Sequence, residues 1–206
     1  EQLQFQVAIL DYNDFVGRIG IGRVFRGKIK VGDNVTLMKL DGTKKNFRVT
    51  KLFGFFGLKR LEIKEAKAGD LIAVSGMEDI NVGETVTDPD HPEALTPLRI
   101  DPPTLRMTFR TNDSPFAGRE GKFVTARQLE DRLKREMQTD VSLKVDDTDD
   151  PGAWTVSGRG ELHLSILIET LRREGYELSV SRPEVIYREI DGTMCEPFEE
   201  VQIDTP

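Results

Sequence analysis

Few residues in this chain are suited to hold a disulfide, a metal ion or a membrane anchor. The 206 residues include one cysteine, Cys195, and two histidines, His91 and His163, which lie far apart. A single cysteine excludes an internal disulfide framework and is typical of a reducing cytoplasm. So few cysteines and histidines give no ligand spacing for zinc, and apolar runs such as 166–168 are too short to cross a bilayer. We therefore expect a cytoplasmic protein with no metal site and no membrane span.

Negative charge is in excess, but it is unevenly distributed. The formal net charge of −7 argues against a chain that binds nucleic acid over its whole surface, because such binding needs a local positive field. The stretch 44–67 nevertheless contains eight cations: Lys44, Lys45, Arg48, Lys51, Lys59, Arg60, Lys64 and Lys67. We interpret this stretch as one basic hairpin. The acidic residues of 146–150 lack the glycine and terminal glutamate of a calcium loop, and they predict a solvated turn.

Aromatic residues within the basic stretch leave two interpretations open. Four phenylalanines lie among the cations: Phe47, Phe53, Phe55 and Phe56. In one interpretation the cations neutralise RNA phosphates while the rings stack or pack. In the other, the rings fill a barrel and the lysines lie outside it. Alternation along a strand favours buried rings, and the lysines remain available to a nucleic acid in either case.

Residues 1–90 carry a strand pattern throughout. Short runs rich in valine, isoleucine, phenylalanine and threonine alternate with glycine turns, and no stretch has a helical period. Three glycine turns of the same form precede predicted strands at 34–37, 71–74 and 85–87. Many short strands at this spacing predict a closed β-barrel, which leaves no sheet edge exposed.

A second domain follows a proline-rich linker at 91–103. The prolines there fix the φ angle and lack a backbone N–H donor, which excludes a central strand or a helix. The predicted elements of 104–183 are strands at 105–109, 141–145, 154–156 and 178–180, a helix opened by a Thr125/Gln128 capping box, and a helix over 161–174 ended by Gly175. This β-α-β-β-α-β order predicts a ferredoxin-like split sheet with both helices on one face. Residues 184–206 are predicted to be a connector and the start of a further domain. The predicted fold class is therefore multidomain, a β-barrel followed by an α+β domain.

The glycine-rich stretch 17–23 invites comparison with a phosphate-binding loop. Such a loop needs a strand before it, a helix after it and usually Gly-Lys-Ser/Thr. Here the strand formers Val24, Phe25 and Ile29 follow, so barrel turns and bulges explain the glycines better. The sequence contains no Walker-type loop, and His163 has no serine or cysteine partner nearby to form a triad. We expect neither nucleotide binding nor a catalytic residue in this chain.

Arg159 lies between Gly158 and Gly160 at the predicted start of the second helix. An arginine at a helix N-terminus, assisted by the helix dipole, is suited to meet an anion. Alternatively, the two glycines only allow the backbone to turn from strand to helix. The sequence leaves both interpretations open.

Together these motifs resemble the translational GTPases of the elongation factor G class. In the first half, the glycine motifs at 17–24, 27–29, 32–33, 68–70 and 83–85 are similar to the second-domain barrel of that class. In the second half, SGRGELHL at 157–164 is similar to its third-domain signature, and RPEVIYRE at 182–189 to the join with the next domain. Within the class, NDSPFAGREGK at 112–122 resembles the BipA/TypA type, as does Arg159, where elongation factor G usually carries a hydrophobic residue.

The resemblance implies a longer parent protein with an N-terminal GTPase domain and further C-terminal domains. It implies binding to the ribosome, through rRNA and ribosomal proteins near the tRNA site, and a role in large-subunit assembly, translation and stress adaptation. The barrel would contact small-subunit rRNA. GTP and Mg²⁺ belong to the GTPase domain, so this chain is expected to hold no cofactor. It is expected to contact its own GTPase and C-terminal domains and to be monomeric.

Two functions from different classes are compatible with the sequence. In the first, the chain is a non-catalytic docking region whose cations contact rRNA. The candidate contacts are Arg18, Arg23, Lys28, Lys44, Lys45, Lys51, Lys59, Arg119, Lys122 and Arg159. In the second, which the acidic net charge favours, the chain is a relay between the GTPase domain and ribosomal proteins. A third interpretation is the equivalent region of elongation factor G itself or of a LepA-type factor.

Overall fold

The structure, a computed structural model, describes residues 2–98, 100–198 and 200–205 and divides into two compact units. The barrel unit comprises Glu1–Ile100 and Gln138–Val141, and the α/β unit comprises Asp101–Met137 and Ser142–Pro206. Neither helix in the described part of the chain is long and apolar enough to cross a bilayer.

The barrel unit is built from short antiparallel strands. Its strands are β1 (Gln4–Asn13), β2 (Gly17–Arg26), β3 (Lys28–Lys30), β4 (Asn34–Met38), β5 (Lys44–Arg48), β6 (Lys51–Phe56), β7 (Lys59–Glu62), β8 (Glu65–Lys67), β9 (Leu71–Ser75) and β10 (Thr85–Thr87). Eight of them form one sheet in the order β5-β4-β10-β1-β2-β9-β6-β7, and β3 pairs with β8. The three strands predicted after glycine turns are β4, β9 and β10, so these predictions are confirmed.

The glycine-rich stretch 17–23, predicted as barrel turns and bulges, lies within strand β2, and the irregularities there are register shifts in its pairing with β1. β1 and β2 pair from Gln4↔Arg26 to Asn13↔Gly17, with register shifts at Gln4/Phe5 and Val7/Ile9. A Cβ atom on Gly22 would lie 1.8 Å from the carbonyl oxygen of Gln6. Only glycine allows the two backbones to approach this closely.

The core of the barrel unit follows from the alternation of its strands. Phe5, Val7, Ile72 and Val74 are fully buried on β1 and β9 and belong to one hydrophobic cluster. Burial of a side chain of this size stabilises a fold by about 1.5–3 kcal/mol. The same cluster packs against Val141, which explains why the segment Gln138–Val141 belongs to this unit.

The α/β unit has the strand order of a ferredoxin-like split sheet. Its elements are β11 (Leu105–Thr111), α1 (Ala126–Glu136), β12 (Lys144–Asp147), β13 (Ala153–Gly158), α2 (Glu161–Glu174), β14 (Leu178–Val180), β15 (Glu184–Val185), β16 (Arg188–Ile190) and β17 (Thr193–Cys195). The sheet has the order β12-β13-β11-β14, all antiparallel, and β15 adds to β11. The predicted fold class, a barrel followed by this split sheet, is confirmed.

The first helix begins, and the second helix ends, where the capping residues predicted. The Thr125 side chain accepts from the Gln128 backbone N–H, and the Gln128 side chain accepts from the Thr125 backbone N–H, which completes the capping box before α1. Gly175 ends α2 in the left-handed conformation, with φ of 94°. The apolar stripes of the two helices pack with Phe109, Trp154 and Val156 of the sheet into a second core.

Two segments differ from the predictions. The strand expected at 141–145 begins only at Lys144, because Val141 packs in the barrel unit and the following residues form a turn. The segment 184–206, predicted as a connector, starts with β15, which pairs with β11, and continues into the β16–β17 hairpin. Its Glu199 and Pro206 lie outside the described residues, as does Arg99 of the predicted linker.

Candidate nucleic-acid interface

Four of the seven candidate cations in the barrel unit already have partners within the protein. Lys45 forms an ion pair with Asp79, which also accepts from Lys39 at 3.3 Å. The hydrogen bond from Lys45 lowers the pKa of the Asp79 carboxyl and raises the pKa of the Lys45 ammonium. Lys45 therefore belongs to a cluster that joins the β4–β5 hairpin to the segment before β10.

Lys28 and Lys51 have weaker partners. Lys28 Nζ lies 3.8 Å from Glu65, and Lys51 Nζ lies 3.8 Å from Glu62. Surface pairs of this kind contribute about 0–1 kcal/mol. A phosphate that approached these lysines would therefore face little competition from the glutamates.

Arg18 is half-buried and bonds to its own unit. Its guanidinium donates to the backbone oxygen of Ile80 at 3.1 Å and to Asn81 Oδ1 at 3.3 Å. Both bonds hold the end of the β1–β2 hairpin to the segment before β10. Arg18 is thus placed less favourably for an external phosphate than the exposed candidates.

Arg23, Lys44 and Lys59 are exposed, and among the described residues none of the three has a carboxylate within 4 Å. Arg23 lies on β2, Lys44 on β5 and Lys59 on β7. The stretch 44–67 was predicted to be one basic hairpin, but it spans β5 to β8, and β5 and β7 lie at the two ends of the sheet order. The prediction of a single hairpin was therefore wrong, because β5 pairs with β4 and β6 pairs with β9.

The aromatic rings of the same stretch divide into two groups. Phe47 and Phe53 are half-buried, and the Arg60 guanidinium lies 5.1 Å from the ring centre of Phe53. Phe55 and Phe56 are 40% and 60% exposed, so the expectation that all four rings face the core was wrong for these two. β6 pairs with β9 only as far as Gly54, and the hairpin therefore carries its last two rings beyond the edge of the core.

In the α/β unit, one carboxylate organises the loop 112–122. The Glu177 oxygens accept from the backbone N–H groups of Gly118, Glu120 and Gly121 at 2.8, 2.7 and 2.6 Å. The Asn112 side-chain amide donates to the same carboxylate at 3.0 Å. Since hydrogen bonds to the charged form favour ionisation, these backbone donors lower the pKa of Glu177 to about 2.

The organised loop presents a ring and a cation together. The Arg119 guanidinium lies 4.6 Å from the ring centre of Phe116, and Phe116 is 60% exposed. Lys122, the other candidate in this loop, lies 5.3 Å from the ring centre of Phe123. The loop and the end of α2 line a groove of about 580 Å³, to which Arg172, Arg173 and Tyr176 also contribute.

Arg159 is exposed at the start of α2, and its backbone is held from two sides. Its N–H donates to His163 Nδ1 at 3.2 Å, and its carbonyl accepts from the Thr104 hydroxyl at 2.6 Å. The His163 side chain therefore helps to hold the turn. The side chain of Arg159 has no ion pair among the described residues, so both interpretations from the sequence remain open.

The acidic residues of 146–150 are partly neutralised. Asp146 accepts from Lys144 at 2.8 Å, and Asp150 pairs with Arg110 across the sheet end. Within the described residues, no group of three or more potential ligands is arranged to hold a metal ion. The turn therefore has structural ion pairs that the sequence did not predict.

Two family models match separate parts of the chain. Residues 17–87 match the model described as elongation factor Tu domain 2, and residues 123–182 match elongation factor G, domain III. The first match lies in the barrel unit. The second covers both helices and the strands β12, β13 and β14 of the split sheet.

Curated relatives match the chain over nearly its whole length. The chain is 74% identical over 206 residues to the large ribosomal subunit assembly factor BipA of Bacillus subtilis, with 100% of the chain covered. It is 55% identical over 204 residues to the protein of that name from Synechocystis and 52% identical over 201 residues to the one from Escherichia coli K12, with 99% and 98% covered. The chain spans about a third of these relatives, 34%, 34% and 33% of their lengths.

A solved structure shares the fold of the chain at lower identity. A crystal structure of a protein from Thermus thermophilus matches with a TM-score of 0.62 and 26% identity. The match covers 91% of this chain and 27% of that one. The similarity in fold therefore extends over both units.

Proposed function

The chain carries the second and third domains of BipA-type translational GTPases, and we propose that it is the region of such a protein that docks on the ribosome during large-subunit assembly. The observation that supports this most strongly is the 74% identity, over all 206 residues, to a protein named for that assembly. The exposed cations Arg23, Lys44 and Lys59 supply the positive charge that rRNA contact needs. Cytoplasmic location and a monomeric state are part of this proposal.

In this proposal the chain does not itself bind or hydrolyse GTP. The family is one of GTPases that use GTP and Mg²⁺. The residues present do not fit the nucleotide, because Gly17–Arg26 is a paired strand and Gly158 and Gly160 precede a helix that begins with Glu161 rather than Gly-Lys-Ser/Thr. Nucleotide chemistry then belongs to other parts of the longer protein.

Co-sedimentation with purified ribosomal subunits over a series of salt concentrations tests the docking function. We expect Lys44→Glu/Lys59→Glu to weaken binding and to flatten its salt dependence, by about 0.7–0.9 in the logarithmic slope for each lost phosphate contact. A matched control makes the same charge change at Arg127 and Lys144 of the α/β unit. If the two double variants sediment alike, the barrel cations do not dock the chain.

A second candidate function, a relay that contacts proteins, is favoured by the tip of the β6–β7 hairpin. Phe56 and Leu58 are 60% and 106% exposed there, and apolar side chains at a tip are suited to a protein surface. Titration of the chain with ribosomal RNA discriminates between the functions. RNA binding that weakens with salt supports docking on rRNA, and absence of RNA binding supports the relay.

A further inference from the structure

The loop 112–122 has a defined shape although it contains no helix or strand. Glu177 holds it through four hydrogen bonds, three of them from backbone N–H groups. At the end of the loop, Phe123 N–H donates to the Gly175 oxygen at 3.1 Å, and a Cβ on Gly121 would lie 2.5 Å from that oxygen. The side chains that the loop presents are therefore held in place before any partner arrives.

Within the loop, Phe116 and Arg119 lie on one turn. Ala117 N–H donates to the Ser114 oxygen at 3.0 Å, and Arg119 N–H donates to the Phe116 oxygen at 3.4 Å. The Arg119 guanidinium lies over the ring of Phe116, so the loop presents a cation and a ring at one place. Arg119 has no carboxylate within 4 Å among the described residues, so its guanidinium is available to an anion.

The rest of the groove is close to neutral. Arg172 and Arg173 share the carboxylate of Glu169, at 3.6 and 2.9 Å. Glu120 also lines the groove, so the lining carries three arginines and three glutamates. The negative charge of Glu177 is taken up by the N–H groups that it holds. A groove whose charges balance, and in which Arg119 lies beside an exposed ring, is suited to a single nucleotide and not to a run of phosphates.

We propose that the groove between the loop 112–122 and the end of α2 binds one nucleotide of single-stranded RNA, with the phosphate on Arg119 and the base against Phe116. Bases stack on exposed rings without regard to sequence, and a guanidinium matches a phosphate with two parallel hydrogen bonds. The inference rests on the proposed function, since it names a part of the surface through which the chain would meet ribosomal RNA. It adds a contact in the α/β unit that is independent of the barrel cations.

Fluorescence anisotropy with a short labelled oligouridylate and the full chain tests this site. We expect Phe116→Ala and Arg119→Ala each to weaken binding by about fivefold or more. Arg119→Ala should also lower the logarithmic salt slope by about 0.7, the contribution of one phosphate of a single strand. Arg119→Lys should keep that slope but bind more weakly, because an ammonium neither stacks on a ring nor forms a bidentate pair with a phosphate. Arg127→Ala, which removes an exposed arginine of α1, should change neither quantity.

Several outcomes would overturn the inference. Unchanged affinity in Phe116→Ala and Arg119→Ala would do so, as would an equal loss in Arg127→Ala. If the chain sediments with ribosomal subunits but does not bind oligouridylate, the proposed function stands and the nucleotide site is wrong. If Arg119→Ala weakens sedimentation and leaves oligouridylate binding unchanged, the groove takes a protein. The backbone amide resonances of Gly118 and Gly121, unchanged in the variants, show that the loop keeps its shape.

Discussion

The two units place their exposed cations by different means. In the barrel unit Lys44 and Lys59 are the first residues of β5 and β7, the two end strands of the sheet order, where every residue except the half-buried Phe47 is exposed. In the α/β unit the position of Arg119 depends on one carboxylate, Glu177, that lies 56–59 residues from the amides it holds. A strand in a sheet keeps its position when one contact is lost, whereas the shape of the loop depends on the single carboxylate of Glu177.

We expect the barrel unit to be most sensitive to substitution at its closest backbone contact. Gly22→Ala would place a Cβ 1.8 Å from the Gln6 oxygen, where only backbone can move. We expect a loss of about 3 kcal/mol or more in the free energy of unfolding, measured by urea denaturation with circular dichroism. Gly160→Ala is the control, because nothing lies within 4 Å of a Cβ there and its φ of 176° is extended backbone.

Trp154, the only tryptophan, reports on the other unit because it is 6% exposed in the second core. If Gly22→Ala destabilises only the barrel unit, the fluorescence transition of Trp154 stays where it is in the parent chain. A fluorescence transition that moves together with the dichroism would show that the two units unfold as one.

A smaller effect on stability is expected when the Glu177 carboxyl is protonated. The pKa of Glu177 is about 2 in the folded chain and 4.5 ordinarily, so its contribution to stability is complete above pH 4.5 and is lost as the pH falls toward 2. The amide proton shifts of Gly118 and Gly121 should therefore titrate with a midpoint near pH 2. Glu177→Gln should abolish that titration and speed amide exchange in the loop at neutral pH. A midpoint near 4.5 in the parent chain would mean that the carboxylate does not hold the loop.

The smallest effect concerns how the helices begin. Thr125→Ala removes the capping box of α1 and should cost about 1 kcal/mol, measured by the fluorescence of Trp154 in urea. Thr125→Ser keeps the hydroxyl and should restore most of the loss. An unchanged transition in the alanine variant would show that packing of Leu129 and Leu133 alone fixes the start of α1.

The sequence predicted the features whose causes are local. The capping box at Thr125 and the stop at Gly175 each depend on residues within a few positions of one another. The β-α-β-β-α-β order followed from the same local signals, which is why the fold class was predictable.

Features that depend on distant residues were not predictable in the same way. Lys45 pairs with Asp79, 34 positions away, and the lysine therefore appeared free in the sequence. Glu177 was not among the predicted site residues, although it organises a loop more than 50 positions earlier. Phe55 and Phe56 face opposite sides of the strand, so alternation does not bury both rings. The end of the β6–β9 pairing at Gly54 brings both into solvent.

Because Glu177 accepts hydrogen bonds from backbone N–H groups, the shape of the loop does not depend on most of the side chains that the loop displays. Glycine is required at 118, where φ is 85°, and at 121, where a Cβ would strike the Gly175 oxygen. Between Asn112 and Gly118, the side chains other than that of Ser114, whose hydroxyl accepts from the Phe116 N–H, can be exchanged without disturbing the hydrogen bonds to Glu177. The exposed side chains that would recognise a partner can therefore differ between related proteins while the backbone of the loop keeps its shape.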